Sequence, residues 1–470
     1  MSATDTLIVA LRGIVGDAHV LEGGAEPAYE QDWRRRWHGR ARAIVRPGST
    51  AEVAQVMSLC ASRQVPVVPQ GGNTGLVGGG VPDTSGTQVL LSTRRLNRVR
   101  AIDAANLTLT AEAGCVLQEV QQAAQARQLL FPLSLAAEGS CTIGGNLATN
   151  AGGTQVLRFG NARDLCLGLE VVTPGGEVWQ GLTGLRKDNT GYDLRGLYVG
   201  SEGTLGIITA ATLRLFPAPE AVVTAMAACA TLQDCVSLLA LAQRRLATGL
   251  TGFEVMNRFS RELVARHFPQ LPRPLPGSTW TVLLEQSDAE GEDAARSRVE
   301  ALLEAAIEAG CAQDAVVAQS LAQSRAMWHL RESIPLAQAE EGLNIKHDIS
   351  VPVSAIPAFV ARTDAALDQH CPGIRLVNFG HLGDGNLHYN VQAPVGGDAA
   401  RFLREHEHAV NTIVYDAVQA CGGSISAEHG VGELKRDELR TRKPAVVLGL
   451  MRAVKGALDP AGLMNPGRML

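Results

Sequence analysis

The chain has 470 residues, of which 46% are hydrophobic and 19% charged. This length exceeds what one ordinary hydrophobic core supports, so we expect a globular protein of two or three domains. A formal net charge of −5 gives no electrostatic footprint for nucleic acid, and no segment reaches the roughly 18 apolar residues of a membrane span.

Short strands and helices alternate in the first half of the chain. Ser49 and Glu52 form a capping-box pattern that predicts the start of a helix. The predicted strands are 43–45, 65–68, 88–92 and 108–111, and the predicted helices are 51–63 and 116–127. Because many strands are short and separated by turns, the pattern favours an α+β domain over a doubly wound sheet.

A strand from 207 to 216 ends at Pro217-Ala-Pro219, which is the best candidate for a domain boundary. The elements predicted beyond it are helices 231–247, 289–309 and 399–420, a strand at 279–286 and a loop at 269–278. Strand–helix pairs of this kind build an open sheet with helices on one face. The small residues 422–426 suit a further strand lining a pocket.

Three glycine-rich segments lie at 71–80, 139–153 and 200–207, each beside a β-branched run. Glycine lets successive backbone N–H groups approach an anion closely. Each segment alone is also compatible with a tight turn. Together they indicate a long ligand with a diphosphate and a flat ring. The fingerprints of Rossmann dinucleotide binding and of the P-loop are absent, which disfavours NAD and ATP.

Two histidines, His381 and His388, flank a tight Gly-Asp-Gly-Asn turn in a predicted β-hairpin, and Glu428-His429 follows. Two imidazoles and a carboxylate are a typical ligand set for a divalent metal, especially zinc with an open position. His429 is left over as a base. The alternative is that both histidines are satisfied core or loop residues. A rival pair, His406 and His408, points to different faces of one helix.

The order of these segments resembles the flavoproteins of the vanillyl-alcohol oxidase type, in the branch that holds glycolate oxidase subunits, D-lactate dehydrogenases and D-2-hydroxyglutarate dehydrogenases. The resemblance runs from about Tyr29 to Arg468. It implies an α+β fold with a two-part FAD-binding domain at 1–217. A cap domain at 218–415 would carry an antiparallel sheet covered by helices and the metal-binding hairpin. A C-terminal segment, 416–470, would carry Glu428-His429 and return to the FAD domain.

The resemblance implies FAD, with its pyrophosphate on the Gly71–Leu76 loop and its ring near the second glycine segment. Several relatives tether the flavin through a histidine in the first loop. That loop has no histidine here, so we expect non-covalent FAD. The expected FAD contacts are Pro69, Gly71, Gly72, Asn73, Thr74, Gly75, Leu76, Gly139, Thr142, Gly144, Gly145, Asn150, Gly152, Gly153, Glu202, Gly206, Ile207 and Asn465.

In similar dehydrogenases, residues matching His381, His388 and Glu428 bind zinc, although manganese or cobalt suits the same ligands. The matching role of His429 is to accept the hydroxyl proton of a 2-hydroxy acid, whose hydride passes to the flavin and leaves a 2-oxo acid.

Substrate carboxylates need cations, and Arg331 and Lys346 stand at matching positions. Asn390, on the strand face of His388, is a further expected substrate contact. The substrate that this set favours is D-2-hydroxyglutarate. Pro335 stands where those dehydrogenases have a threonine, so D-lactate or another short D-2-hydroxy acid such as D-malate stays an alternative.

The partners follow from the same resemblance. We expect an electron acceptor such as an electron-transfer flavoprotein or a quinone, and a homodimer. Nine cysteines without a Cys-x-x-Cys pair suit reduced thiols in a cytoplasmic protein, and peripheral membrane contact stays open. Two rival hypotheses are a hydrolytic zinc enzyme and a flavin-binding subunit that is inactive alone.

Overall fold

The computed structural model of the protein describes residues 3–470. The strands are β1 (Val20–Glu22), β2 (Ala43–Val45), β3 (Val67–Gln70), β4 (Val89–Ser92), β5 (Val99–Asp103), β6 (Thr108–Glu112), β7 (Leu129–Leu130), β8 (Cys166–Val172), β9 (Val178–Gly181), β10 (Ile207–Arg214), β11 (Phe216–Pro217), β12 (Ala221–Cys229), β13 (Leu250–Asn257), β14 (Trp280–Asp288), β15 (Asp314–Val317), β16 (Asn344–Ile345), β17 (Asp348–Ser350), β18 (Arg375–His381) and β19 (Asn386–Gln392). The helices are α1 (Ala3–Val15), α2 (Pro27–Glu30), α3 (Thr50–Ser62), α4 (Leu117–Gln125), α5 (Ile143–Ala148), α6 (Val156–Phe159), α7 (Ala162–Leu165), α8 (Arg195–Tyr198), α9 (Leu232–Leu246), α10 (Arg258–His267), α11 (Glu292–Glu308), α12 (Leu321–Glu332), α13 (Ile334–Glu341), α14 (Ile356–His370), α15 (Ala399–Ala420), α16 (Arg436–Arg442) and α17 (Ala445–Leu458). This mixture of helix and sheet confirms the predicted α+β class.

The chain divides into two compact units. The first contains the chain up to Gly152, Gly160–Ala218 and Glu428–Leu470, and the second contains Gly153–Phe159 and Pro219–Ala427. In the first unit, β1, β2, β4 and β3 form one sheet in which β2, β3 and β4 are parallel. A second, antiparallel sheet has the order β5-β6-β10-β8-β9. The C-terminal segment returns to the first sheet, where Met464 pairs with Val67.

Helix α3 shows why the local sequence folds as it does. The Ser49 side chain accepts a hydrogen bond from the backbone N–H of Glu52, which satisfies one of the free donors at the helix start. Val53, Val56 and Cys60 recur at helical spacing and are fully buried in the core of the first unit. The predicted capping residue and helix are therefore confirmed.

The second unit is built on an eight-stranded antiparallel sheet with the order β15-β12-β14-β13-β18-β19-β16, and β17 also pairs with β19. Alternate strand residues point to opposite faces. One face packs against α9, α11, α14 and α15. The other face packs against α10, α12 and α13. The expectation of helices on one face only was therefore wrong, because both faces of the central strands carry apolar residues.

The predicted helix at 399–420 is confirmed as α15, but the strand predicted at 422–426 does not form. Only Ser424 pairs there, in an isolated bridge with Ser350. The Ser424 hydroxyl donates to the carbonyl of Ser426 and accepts from its N–H, and such local side-chain bonds compete with a strand. Among the helices of residues 3–470, none combines the length and apolar character needed to cross a bilayer.

Candidate functional site

A cavity of about 320 Å³ lies within the first unit and joins the three glycine-rich segments. The predicted FAD contacts that line it are Pro69, Gly71, Gly72, Asn73, Thr74, Gly75, Leu76, Thr142, Gly144, Gly145, Gly152, Glu202, Gly206 and Ile207. Glu428 and His429 line the same cavity. The structure therefore brings the predicted anion-binding loops, one predicted metal ligand and the predicted base to a single place in this unit.

Thr142 and Gly71 show that the cavity fits a large polar ligand. The Thr142 hydroxyl oxygen is buried and has no hydrogen-bond partner among residues 3–470. A Cβ atom on Gly71 would lie 2.3 Å from that oxygen, so only glycine lets the two segments meet this closely. A buried hydroxyl without a partner is costly unless a ligand supplies one. Its place in the wall of a glycine-lined cavity fits a diphosphate-bearing cofactor.

Four of the predicted FAD contacts lie outside the cavity wall: Gly139, Asn150, Gly153 and Asn465. Asn150 has a left-handed backbone, with φ of 52°, and its amide oxygen accepts a hydrogen bond from the N–H of Arg163. The amide of Asn465 donates to the carbonyls of Gly79 and Glu202. Asn465 therefore ties two cavity loops together. Gly153 belongs to the second unit.

Glu202 lines the cavity, yet its carboxylate is engaged by the chain itself. Its two oxygens accept hydrogen bonds of 2.7 Å from the backbone N–H groups of Val431 and Gly432. Burial raises the pKa of Glu202, and these two backbone hydrogen bonds oppose that effect. Glu202 therefore fastens the segment that directly follows Glu428 and His429, a role that the sequence did not reveal.

In the second unit, five side chains on one face of the sheet form a closed ring of contacts. The His381 and His388 rings meet edge to face, 5.5 Å apart. The ring centroids of His388 and Phe379 are 4.8 Å apart. The guanidinium carbon of Arg331 lies over Phe379, 4.6 Å from its ring centroid. Glu254 closes the ring, because its carboxylate bonds both Arg331 and His381. The predicted substrate clamp and two predicted metal ligands therefore share one framework.

The predicted hairpin is confirmed as β18 and β19, with Phe379 paired opposite His388. Ring nitrogens of His381 and His388 lie within 4.8 Å of each other. The Nδ1 atom of His381 is bonded to Glu254, which leaves Nε2 as the lone-pair nitrogen in the neutral ring. These two donors suit a divalent cation. The third predicted ligand, Glu428, belongs to the first unit.

Glu254 is the residue that sequence reasoning missed. It is fully buried within β13, between the apolar residues Phe253 and Val255. Burial by itself raises the pKa of Glu254, but the charges and hydrogen bonds of His381 and Arg331 outweigh it and lower the pKa to about 2. The available signal was a single acidic residue in an otherwise apolar strand, which is rare unless the charge is paired.

Three further predicted residues lie in the second unit. Arg331 is buried on α12, and Lys346 is half-buried between β16 and β17. Asn390 lies on β19, where its amide oxygen accepts from the N–H of His347 and its nitrogen donates to Gln338. Protein partners thus bind both ends of this amide.

Comparison with known proteins agrees with this architecture. Residues 41–181 match an FAD binding domain, and residues 218–469 match the C-terminal domain of FAD linked oxidases. The chain is 40% identical to D-2-hydroxyglutarate dehydrogenase of Xanthomonas citri pv. viticola, over 99% of this chain and 97% of the relative. It is 32% identical to D-2-hydroxyglutarate–pyruvate transhydrogenase of Saccharomyces cerevisiae, over 97% of this chain and 92% of the relative.

A solved structure of p-cresol methylhydroxylase with bound substrate has a similar fold. It superposes with a TM-score of 0.79 at 15% identity, over 99% of this chain and 96% of that one. At this identity the likeness concerns the fold alone, which is the vanillyl-alcohol oxidase type that the glycine-rich segments indicate. The protein is therefore a member of the FAD-linked oxidase family, an FAD-dependent oxidoreductase with the family's FAD-binding and C-terminal domains.

Proposed function

We propose that the protein is an FAD- and zinc-dependent dehydrogenase that oxidises D-2-hydroxyglutarate to 2-oxoglutarate. The names of its relatives support this substrate. The observation that carries the proposal is the ring of contacts in the second unit. It holds a guanidinium, which can bind a carboxylate, in the same framework as two imidazoles that can bind a metal.

FAD would occupy the cavity of the first unit, where the Thr142 hydroxyl and the glycine-rich backbone can donate to its phosphates and ring. We propose non-covalent binding, because the Gly71–Gly80 loop contains no histidine. Cys141 also lines the cavity, but burial raises the pKa of its thiol to about 11. Such a thiol is a poor nucleophile at neutral pH.

Zinc would be bound by His381, His388 and Glu428, the donor set that the sequence predicts. When bound, the flavin supplies the hydride acceptor, and the metal supplies a positive charge that lowers the pKa of a nearby hydroxyl group. His429 would accept the α-hydroxyl proton, since an imidazole titrates near neutral pH and needs little tuning for this role.

Arg331 and Lys346 would bind the substrate carboxylates. Arg331 bonds Glu254 through Nε and one terminal nitrogen. The remaining N–H groups of the guanidinium can bind a substrate carboxylate. Asn390 would offer its second N–H to the substrate. Lys346 is the group that favours a dicarboxylate over D-lactate, because a monocarboxylate has no second acid group for it to bind.

D-lactate, or another short D-2-hydroxy acid such as D-malate, is the second candidate because of Pro335. The fold tolerates a proline at this position. Pro335 lies in the first turn of α13, where the missing backbone N–H has no helical partner in any case. A proline there provides no hydrogen-bond donor to the substrate. D-2-hydroxyglutarate would therefore have one contact fewer than in the dehydrogenases that have a threonine at this position.

The remaining properties are proposals by analogy. We propose a cytoplasmic homodimer that passes electrons to an electron-transfer flavoprotein or a quinone. The yeast relative is named for transfer to pyruvate, so a 2-oxo acid is a further acceptor to assay. The proposed partners do not include molecular oxygen.

A screen of D- and L-2-hydroxy acids with an artificial dye acceptor, before and after chelation, tests the proposal. We expect turnover of D-2-hydroxyglutarate that chelation abolishes and zinc restores. Turnover by the isolated chain excludes a subunit that is inactive alone. A preference for D-lactate would reassign the substrate, and unchanged activity in the fully demetallated protein would remove the metal from the proposal. A folded, flavin-free protein would favour the hydrolytic alternative.

A further inference from the structure

Glu254 contacts both His381, a predicted metal ligand, and Arg331, a predicted substrate-binding cation. It lies in β13 directly opposite His381 of β18. Its Oε1 is 2.6 Å from Nδ1 of His381. Its Oε2 is 2.8 Å from Nε and 2.7 Å from a terminal nitrogen of Arg331. Each oxygen of this one buried carboxylate therefore serves a different partner.

The contact with His381 determines which ring nitrogen can bind a metal. The carboxylate accepts a hydrogen bond from Nδ1–H, which leaves the lone pair of the neutral ring on Nε2 and fixes the plane of the ring. A carboxylate in this position also makes the imidazole a stronger ligand. The strand register imposes this arrangement, so His381 is oriented by the fold itself.

The second contact of Glu254 fixes the position of the Arg331 guanidinium. The guanidinium is held at its edge by Oε2 and on its face by the ring of Phe379, 4.6 Å away. A long side chain loses much of its rotational freedom in such a position, and that loss no longer has to occur when a ligand binds. The donors that Glu254 does not use then have a defined direction.

We propose that Glu254 is a positioning residue that couples the metal to the substrate carboxylate, because it orients a metal ligand and a substrate-binding cation through its two oxygens. This inference rests on the proposed function. It goes further in predicting that one substitution, at a residue contacting neither metal nor substrate, weakens the binding of both.

The substitution Glu254→Gln tests the coupling, because an amide has one acceptor oxygen where a carboxylate has two. Glutamine can accept from either His381 or Arg331, but not from both. An NH2 group that faces Arg331 meets another donor, and one that faces His381 favours the tautomer with its proton on Nε2, which cannot bind a metal. We expect the affinity for zinc, measured by competition with a chromogenic chelator, to fall on the order of 10- to 100-fold. We expect the KM for D-2-hydroxyglutarate to rise, with the flavin content unchanged.

Glu285 provides a matched control, because it is another buried carboxylate on the same face of the sheet. It accepts hydrogen bonds from the Trp328 indole and the Thr251 hydroxyl. Burial raises the pKa of Glu285, which favours its neutral form. Glutamine can keep both contacts, because its oxygen accepts from the indole and its NH2 group can donate to the Thr251 hydroxyl. Glu285→Gln should therefore keep the zinc affinity and KM of the wild type.

Loss of Glu254 leaves the buried Arg331 charge without its partner, which destabilises the folded protein. If Glu254→Gln does not fold, the double variant Glu254→Gln/Arg331→Met removes that charge and permits the same zinc measurement. Its zinc affinity should stay below that of the wild type, because an amide oxygen is a weaker acceptor for the Nδ1 proton. Wild-type zinc affinity in the folded variant would overturn the inference.

His381→Ala separates this inference from the proposed function. If His381→Ala keeps full zinc affinity, the assignment of the ligands fails, and the inference fails with it. If His381→Ala loses zinc while Glu254→Gln binds it as the wild type does, only the coupling role of Glu254 is refuted. Parallel losses in zinc affinity and KM for Glu254→Gln, with neither for Glu285→Gln, support the inference.

Discussion

Oε1 of Glu254 and Nδ1 of His381 are 2.6 Å apart, although the residues are separated by 127 positions in the chain. They meet because β13 and β18 are antiparallel neighbours in the sheet of the second unit, with these residues in register. Sheet pairing is a rigid way to place two side chains, since a slip of one strand by one residue would turn its side chain to the opposite face from its partner. The orientation of His381 therefore follows from the fold of one unit.

The ligand assignment predicts that His388→Ala and Glu428→Ala each lose bound zinc and keep FAD. Removing one donor from a three-ligand site weakens it severely, so activity should fall on the order of 100-fold or more. Metal analysis and the flavin absorbance of the purified variants measure the two outcomes. His408→Ala is the control, because this histidine is exposed on α15. Full metal content in His388→Ala would contradict the assignment.

Lys346→Ala should reduce the efficiency for D-2-hydroxyglutarate far more than for D-lactate. Only the dicarboxylate loses a charge-assisted hydrogen bond, worth about 1.5–3 kcal/mol, or roughly 10- to 100-fold in kcat/KM. Steady-state kinetics with both substrates provide the comparison. Arg325→Ala, at an exposed position on α12, should change neither substrate. Equal losses on both substrates would remove the argument for a dicarboxylate.

The sequence was sufficient where the relevant contacts are local. His381 and His388 flank one hairpin, so a turn signal and strand alternation predict that they approach each other. The glycine-rich segments can likewise be recognised from their composition alone. Strand–helix alternation indicates the α+β fold class. The proline pair at 217–219 indicates a boundary between two units.

The sequence was insufficient where a side chain finds its partner across the fold. Glu202 lines the cavity, but the sequence did not reveal that its carboxylate accepts hydrogen bonds from Val431 and Gly432, more than 200 positions away. Glu254 was missed because its partners depend on the order of strands in the sheet. No local pattern contains that order, so roles that depend on it cannot be derived from propensity or spacing.

Gly71→Ala should give a folded protein with little flavin. The new Cβ would lie 2.3 Å from the Thr142 hydroxyl, so either the loop or Thr142 must move, at a cost of about 1–3 kcal/mol. Flavin absorbance per protein reports the loss. Gly449→Ala in α17 is the control, since no heavy atom lies within 4 Å of its added Cβ.

In the wild type, acid precipitation should release free yellow flavin, and flavin that stays with the pellet would show a covalent link.

Glu341 should contribute stability that depends on pH. Burial acts to raise the pKa of Glu341, but hydrogen bonds from His267, Arg375 and Arg266 outweigh it and lower the pKa to about 2. The folded pKa is thus below the unfolded value of about 4.3. The stabilisation is then present above about pH 4.3 and is lost as the pH falls towards 2.

Glu341→Gln should therefore lower the free energy of unfolding by about 1–3 kcal/mol at neutral pH. Urea unfolding at a series of pH values should show the difference from the wild type narrowing below about pH 4.3, because the wild-type carboxylate becomes protonated. The neighbouring Glu340 is exposed, so Glu340→Gln should leave stability nearly unchanged at every pH. A difference for Glu341→Gln that stays constant down to the acid limit would mean that packing, and not charge, stabilises this site.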